Sequence, residues 1–196
     1  SMASAQQKIY VCEGFRYEVY DIKSTDDIVF SADGQEVSIG DYDTYELEEI
    51  DSITFAEPQY PKVEIKYNGA SATVEVGHNV KGVTYSVKGA NVVLTSSTTT
   101  DEYLYTVSGK SDNGSLVING TYKLTVELAG LDLTNPNGPA IDIECGKRIG
   151  VVLKKGTVNN LADGKSGDHK GAFYTEGHPE FEGKGTLNVT GNTKHA

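Results

Sequence analysis

Apolar and polar residues alternate along this chain in short runs, and the runs come back in the same order. Leu124-Thr-Val126-Glu-Leu128-Ala-Gly130 is echoed 25 residues later by Ile149-Gly-Val151-Val-Leu153-Lys-Lys-Gly156, and Gly185-Thr-Leu187-Asn-Val189-Thr-Gly191 begins a third pass. Alternation of period two marks a strand with one buried face. Small-residue corners follow, at Gly138-Pro-Ala140-Ile-Asp142, Gly171-Ala172-Phe-Tyr-Thr175 and Lys194-His-Ala196. A strand and corner returning every 20 to 35 residues or so predicts a solenoid of the parallel β-helix type, because each coil buries its apolar edge only against its neighbours. Leu124, Val126, Leu128, Ile149, Val151, Leu153, Leu187 and Val189 are expected to point into one core.

Upstream, Val83-Thr-Tyr85-Ser-Val87 with Val92-Val-Leu94 reads as the first coil, Tyr103-Leu-Tyr105-Thr-Val107 as the next face and Leu116-Val-Ile118 as the third. Gly89-Ala-Asn91, Ser108-Gly109 and Asp112-Asn-Gly114 read as corners. Val63-Glu-Ile65-Lys-Tyr67 and Ala72-Thr-Val74-Glu-Val76 flank Asn68-Gly69, a strong hairpin signal, and are placed as a lid over the first coil. Pro58 and Pro61 mark a boundary, since proline withholds a ladder donor. Before it, Tyr17, Tyr20, Ile28 and Phe30 recur at an offset of 25 as Tyr42, Tyr45, Ile53 and Phe55. The chain is therefore read as a leader or cloning remnant (1–7), a small antiparallel β module (8–57), a linker with a capping hairpin (58–81), and all-β coils (82–196) that stop short of the full solenoid.

The runs from Val63 to Tyr67, Val83 to Val87, Val92 to Leu94 and Gly114 to Asn119 precede a more specific stretch, Leu124 to Gly164. That stretch contains Leu131-Asp-Leu-Thr-Asn135, Gly138-Pro-Ala-Ile141 and Gly156-Thr-Val-Asn-Asn-Leu-Ala-Asp-Gly164. In this order the chain resembles the bacterial carbohydrate-binding domain-containing family over roughly residues 60 to 196. The resemblance implies a right-handed parallel β-helix similar to polysaccharide lyases, binding of plant polysaccharides, calcium in the fold, and further coils beyond these. Asp51-Ser-Ile-Thr-Phe55 resembles the short leader modules before secreted domains of gut Bacteroidetes, which implies a secreted or cell-surface protein.

Charge narrows the partners. The net charge of −11 belongs to the first segment: residues 8–57 hold 14 acids against Lys8, Arg16 and Lys23, while residues 58–196 hold 14 acids and 14 lysines or arginines. Nucleic acid is excluded as a partner, since neutralising phosphates takes clustered Lys and Arg. The chain lacks an apolar run long enough for a membrane-spanning helix. Cys12 and Cys145 have no metal or redox spacing and read as buried thiols.

Sugar binding needs aromatic faces and spaced polar groups. Tyr103, Tyr105, Tyr122, Phe173 and Tyr174 are the candidates, with Tyr85 available beside them; each also fits a half-buried sheet position. Calcium takes six to eight oxygens or so. Asp163-Gly-Lys-Ser-Gly-Asp168 with Glu176 is the candidate site, and a solvated turn is the plainer reading. Asn135, Asn159, Asn160 and Asn192 are read as corner asparagines whose amides satisfy turn backbone. For catalysis, the lyase-like shape implies a basic residue as proton acceptor, and Arg148 has no acid cluster near it in sequence. The sequence thus favours non-catalytic polysaccharide binding over a scaffold or adhesin, and both over a lyase. End-to-end self-association through residues 181–196 is a further expectation.

Overall fold

The structure is a computed structural model that describes residues 7–164 and 171–192. Regular structure in them is strand, apart from one 3-10 turn at Leu47–Glu49, so the fold is all-β with several sheets. Among the described residues no helix is long and apolar enough to cross a membrane. Contacts divide the chain into two units, Ser1–Tyr60 and Pro61–Ala196.

The first unit contains β1 (Gln7–Glu13), β2 (Arg16–Ile22), β3 (Ile28–Phe30), β4 (Glu36–Ile39), β5 (Asp43–Glu46) and β6 (Ser52–Thr54). All pairings are antiparallel, in two three-stranded sheets ordered β2-β1-β6 and β3-β4-β5. Ile9, Val11, Tyr20, Val37 and Ile39 form a core common to both sheets. The offset repeat in this segment is only partly structural. Tyr20 and Tyr45 occupy equivalent places and their hydroxyls meet, with Asp43 accepting a hydrogen bond from Tyr20. Ile53 packs on the core, whereas its counterpart Ile28 is exposed. None of this unit's 14 acidic side chains is buried.

The second unit contains β7 (Lys62–Asn68), β8 (Ser71–Val76), β9 (Val83–Lys88), β10 (Ala90–Ser96), β11 (Leu104–Ser111), β12 (Gly114–Asn119) and β13 (Leu124–Asn135). It continues with β14 (Ile141–Glu144), β15 (Arg148–Leu153), β16 (Val158–Asp163), β17 (Phe173–Thr175), β18 (His178–Glu182) and β19 (Thr186–Thr190). One sheet runs β18-β15-β13-β11-β7-β8, with β16 on the second half of β13 and β19 on β16; the other runs β17-β14-β12-β10-β9. Both are mixed: parallel through most of their width, with an antiparallel hairpin at one edge, β7–β8 in the first and β9–β10 in the second.

The 25-residue echo in the sequence is a physical register, since Leu124, Val126 and Leu128 lie directly beside Ile149, Val151 and Leu153. Because side chains alternate across a strand, such alignment stacks like on like. Val63, Tyr105, Val126 and Val151 form one inward row; Val92, Leu116 and Ile141 form another in the second sheet. All seven are buried in one core.

Three expectations are corrected. Val83–Val87 and Val92–Leu94 are the two arms of an antiparallel hairpin and not successive coil strands, because the chain reverses at Gly89 with φ +61. The stretches read as corners at Gly138–Asp142 and Gly171–Thr175 turn only through Ala140 and Ala172 and then run as strands: Ile141 pairs with Phe173, and the carbonyl of Ala172 accepts hydrogen bonds from the N–H groups of Ala140 and Ile141. The third echo, Leu187 to Val189, lies on β16 and not on β15; β18 takes the place beside β15. Leu187 packs against the core and Val189 is exposed, while the other strand positions named with them are buried or, for Leu153, partly buried. Lys194–Ala196 lies outside the described residues.

Gly109 fixes the shape of the long sheet. The register between β11 and β13 shifts at Val107/Gly109, where Gly109 has φ +91 and an added Cβ would sit 2.1 Å from the Tyr67 carbonyl oxygen. Only glycine bends the strand there without a clash.

Candidate functional site

The structure brings three of the predicted aromatic residues together. Tyr103 and Tyr105, at the start of β11, and Tyr122, just before β13, line one small hollow with Asp101, Thr121 and Lys123. It forms where β10 and β12 end and the chain crosses into the other sheet. Tyr103 is 3% exposed, and its hydroxyl bonds both the N–H and the carbonyl of Lys81 at 3.1 Å. Tyr105 is 1% exposed, and burial pushes its hydroxyl up to about 12. Neither ring offers a face to a ligand. Both belong to the buried core, Tyr103 just before β11 and Tyr105 on it, where neither can take the stacking role expected of them. Tyr122 is half-buried, with the Lys123 ammonium 5.9 Å from its ring centroid.

Phe173 and Tyr174, neighbours on β17, part company. Phe173 packs on the core and lies 6.1 Å from the ring of Phe181. Tyr174 falls beside Asp142 on the outward row of the five-stranded sheet, between inward Ile141 and Ile143. Tyr85 is exposed on the edge strand β9.

Of the expected calcium ligands, Asp163 and Glu176 are among the described residues. Asp163 is 2% exposed; its carboxylate accepts the Asn192 N–H at 2.5 Å and its carbonyl accepts the Asn192 amide at 2.7 Å. That is a lock between two chain corners. Asp168 lies outside the described residues, and Glu176 is exposed with its backbone N–H on the Ile143 carbonyl. Among the described residues no group of three or more His, Cys, Asp or Glu side chains is arranged to hold a metal.

Arg148, the basic residue weighed for catalysis, is held between acids. Its guanidinium meets Glu102 at 2.5 Å and Glu180 at 4.0 Å, and Thr125 donates to the same Glu102 oxygen at 3.1 Å. On the outer face of the long sheet, Glu64 accepts from Lys62 at 2.9 Å, which holds its carboxyl below the usual range. Two strands on, burial pushes the Glu127 carboxyl up, against the opposing pull of Lys154, Thr106 and Lys62.

The asparagines divide by function. Asn135 donates to the Pro139 carbonyl at 2.8 Å and accepts from the Asn137 N–H at 3.0 Å, as a turn-satisfying amide should. Asn159, fully buried, accepts from the Gly130 and Leu131 N–H groups and donates to Thr157 and the Thr186 carbonyl. Asn160 does otherwise: it faces out and accepts from the Asn188 amide at 3.0 Å. This pair continues an outward row across the parallel strands, Lys110 to Asp132 to Asn160 to Asn188. Sequence reading missed the row because it mixes a lysine, an aspartate and two asparagines. The 28-residue spacing of Asn160 and Asn188 was the available signal.

Residues 88–196, more than half of the chain, match the family described as carbohydrate-binding domain-containing protein, and the chain belongs to that family. A similar solved structure is that of the polysaccharide lyase-like protein from C. thermocellum, a gadolinium derivative, at 21% identity and a TM-score of 0.54. The likeness covers 67% of this chain and 53% of that one, so this chain spans about half its length, and at such identity it concerns the fold alone. No curated protein matches the chain.

Proposed function

We propose that this chain binds polysaccharide without catalysis, outside the cell, either secreted or held at the surface as its leader-like first unit suggests. The observation that carries the reading is family membership over residues 88–196, which takes in β10 to β19 and the outward rows they bear. In this reading the parallel ladders of the second unit are coils of a right-handed β-helix. Registers such as Leu104 with Thr125 and Leu124 with Ile149, returning after 21 and 25 residues, support it. A lyase is disfavoured because Arg148 is engaged by Glu102 and Glu180. A scaffold without a sugar ligand is the other reading to be tested.

Depletion of the protein onto insoluble cellulose, xylan, chitin and pectin separates these readings, with product formation from polygalacturonate measured in parallel. Binding to at least one polymer without product is expected; no binding to any supports the scaffold, and unsaturated product supports the lyase. Calcium remains part of the proposal only through Asp163, Asp168 and Glu176. A rise in melting temperature on calcium addition, reversed by chelator, is its expected sign, and an unchanged temperature removes it. End-to-end contact through residues 181–196 is carried in the same way, since Phe181 and Val189 stand exposed there. Sedimentation across concentration is expected to reveal it, and a strictly constant monomer mass discards it.

A further inference from the structure

We infer that the outward row Lys110, Asp132, Asn160 and Asn188 is a docking strip for an uncharged linear polysaccharide laid across the strands. The inference rests on the polysaccharide-binding reading and says where, and to what class of polymer, that binding occurs. Each residue is the register partner of the next, on β11, β13, β16 and β19. Hydrogen-bonded strands lie about 4.8 Å apart, so the row offers one polar group per strand at that interval. The chain neighbours of Asp132 and Asn160, namely Leu131, Leu133, Asn159 and Leu161, are buried, which fixes these two outward, and their partners Lys110 and Asn188 are exposed.

The side chains are held before any ligand arrives. Lys110 pairs with Asp132 at 3.6 Å, and the Asn188 amide donates to the Asn160 carbonyl oxygen at 3.0 Å. Rotamers already fixed in this way lose less freedom on binding. The amide pair leaves the Asn160 NH2 as donor and the Asn188 carbonyl oxygen as acceptor, neither bonded to protein among the described residues. A glycan hydroxyl both donates and accepts, so it complements this alternation. On one side of the row lie Val158, 58% exposed, and its partner Thr186; on the other lie Thr134, Ala162 and Thr190. All are short, so the strip is flat, and Val158 offers apolar contact to sugar C–H groups.

Charge selects the polymer. The only cation in the row is matched by the only carboxylate, and they neutralise each other. A uronate chain would need an unmatched cation at each charged unit, and the row has none to give. A neutral polymer whose hydroxyls recur along its axis meets a donor or an acceptor at successive strands.

The test uses the full chain with Asn160→Ala and Asn188→Ala together, and separately Asn188→Asp, which sets a charge where a neutral acceptor stood. Ser86→Ala, exposed on the edge strand β9 of the other sheet, is the control, and melting temperature is followed throughout. Binding isotherms on insoluble cellulose and xylan should weaken about tenfold in the double variant, the loss expected of two neutral hydrogen bonds. Asn188→Asp should weaken binding at least as much, and Ser86→Ala should leave it unchanged. Wild-type affinity in both Asn variants overturns the strip while leaving polysaccharide binding in place. Binding confined to uronate polymers overturns the ligand class, and no binding by the wild type to any polymer removes the broader reading and the strip together.

Discussion

Asn159 ties three chain segments from inside the core. Its amide satisfies the Gly130 and Leu131 N–H groups and the Thr186 carbonyl, the Leu131 bond being fully buried. Asn159→Ala is expected to cost about 2–4 kcal/mol, since four hydrogen bonds of a fully buried amide are lost at once, and urea denaturation would measure it. A loss below about 1 kcal/mol would mean water replaces the amide. Tyr105 sets a pH limit. Its hydroxyl is pushed by burial from an ordinary value of 10.0 to about 12 in the fold. The unfolded chain therefore releases this proton at lower pH than the native state, so the stability contribution is full below about pH 10 and is lost between there and about pH 12. Tyr67 is shifted up in the same direction by burial. Stability measured by denaturant melts should fall as pH rises through that window. Replacing Tyr105 with Phe should make the fall shallower.

At the scale of the element, the legible part of the fold was the part with strong alternation. Leu124 to Leu128 and Ile149 to Leu153 announced their own register because each inward position is a large aliphatic, and the sheet stacks them in a row. The strands β14 and β17 were illegible for the opposite reason. They are only four and three residues long and follow Ala140 and Ala172, which are small because each is fully buried where the chain passes close to its neighbour. Small residues also mark corners, so sequence alone could not tell the two apart. Ala140→Leu should therefore be costly, about 1–3 kcal/mol of overpacking, read as a lowered melting temperature. A neutral effect would mean that Ala140 does border a corner with room to spare. The candidate site follows the same rule. Tyr103 and Tyr105 carry the residue type of a sugar platform but the parity of core positions, and parity decides. The polar row from Lys110 to Asn188 has outward parity but mixed residue types, so the whole row emerges from the pairing.

On the scale of the whole molecule, two units divide the physical tasks. The first carries the net charge of −11 on exposed or half-exposed side chains and exposes Phe30 and Phe55 as well. The second is neutral by count and carries the large core and the outward rows. Polysaccharide binding through the neutral rows should change little with salt, because screening weakens only unpaired charge interactions over distances of about 8–10 Å. Isotherms that collapse between low and high ionic strength would instead assign binding to the acidic unit or to charged groups elsewhere.

Hydroxyl-radical footprinting of the whole chain, free and bound to insoluble cellulose or xylan, reads the contact face side chain by side chain. Protection is predicted at Lys110, Val158 and Thr186, with Phe30, Tyr42 and Phe55 as reactive as in the free protein. Protection of those three aromatic residues with none at Val158, in protein demonstrably bound to the polymer, would contradict the assignment of binding to the outward rows of the second unit.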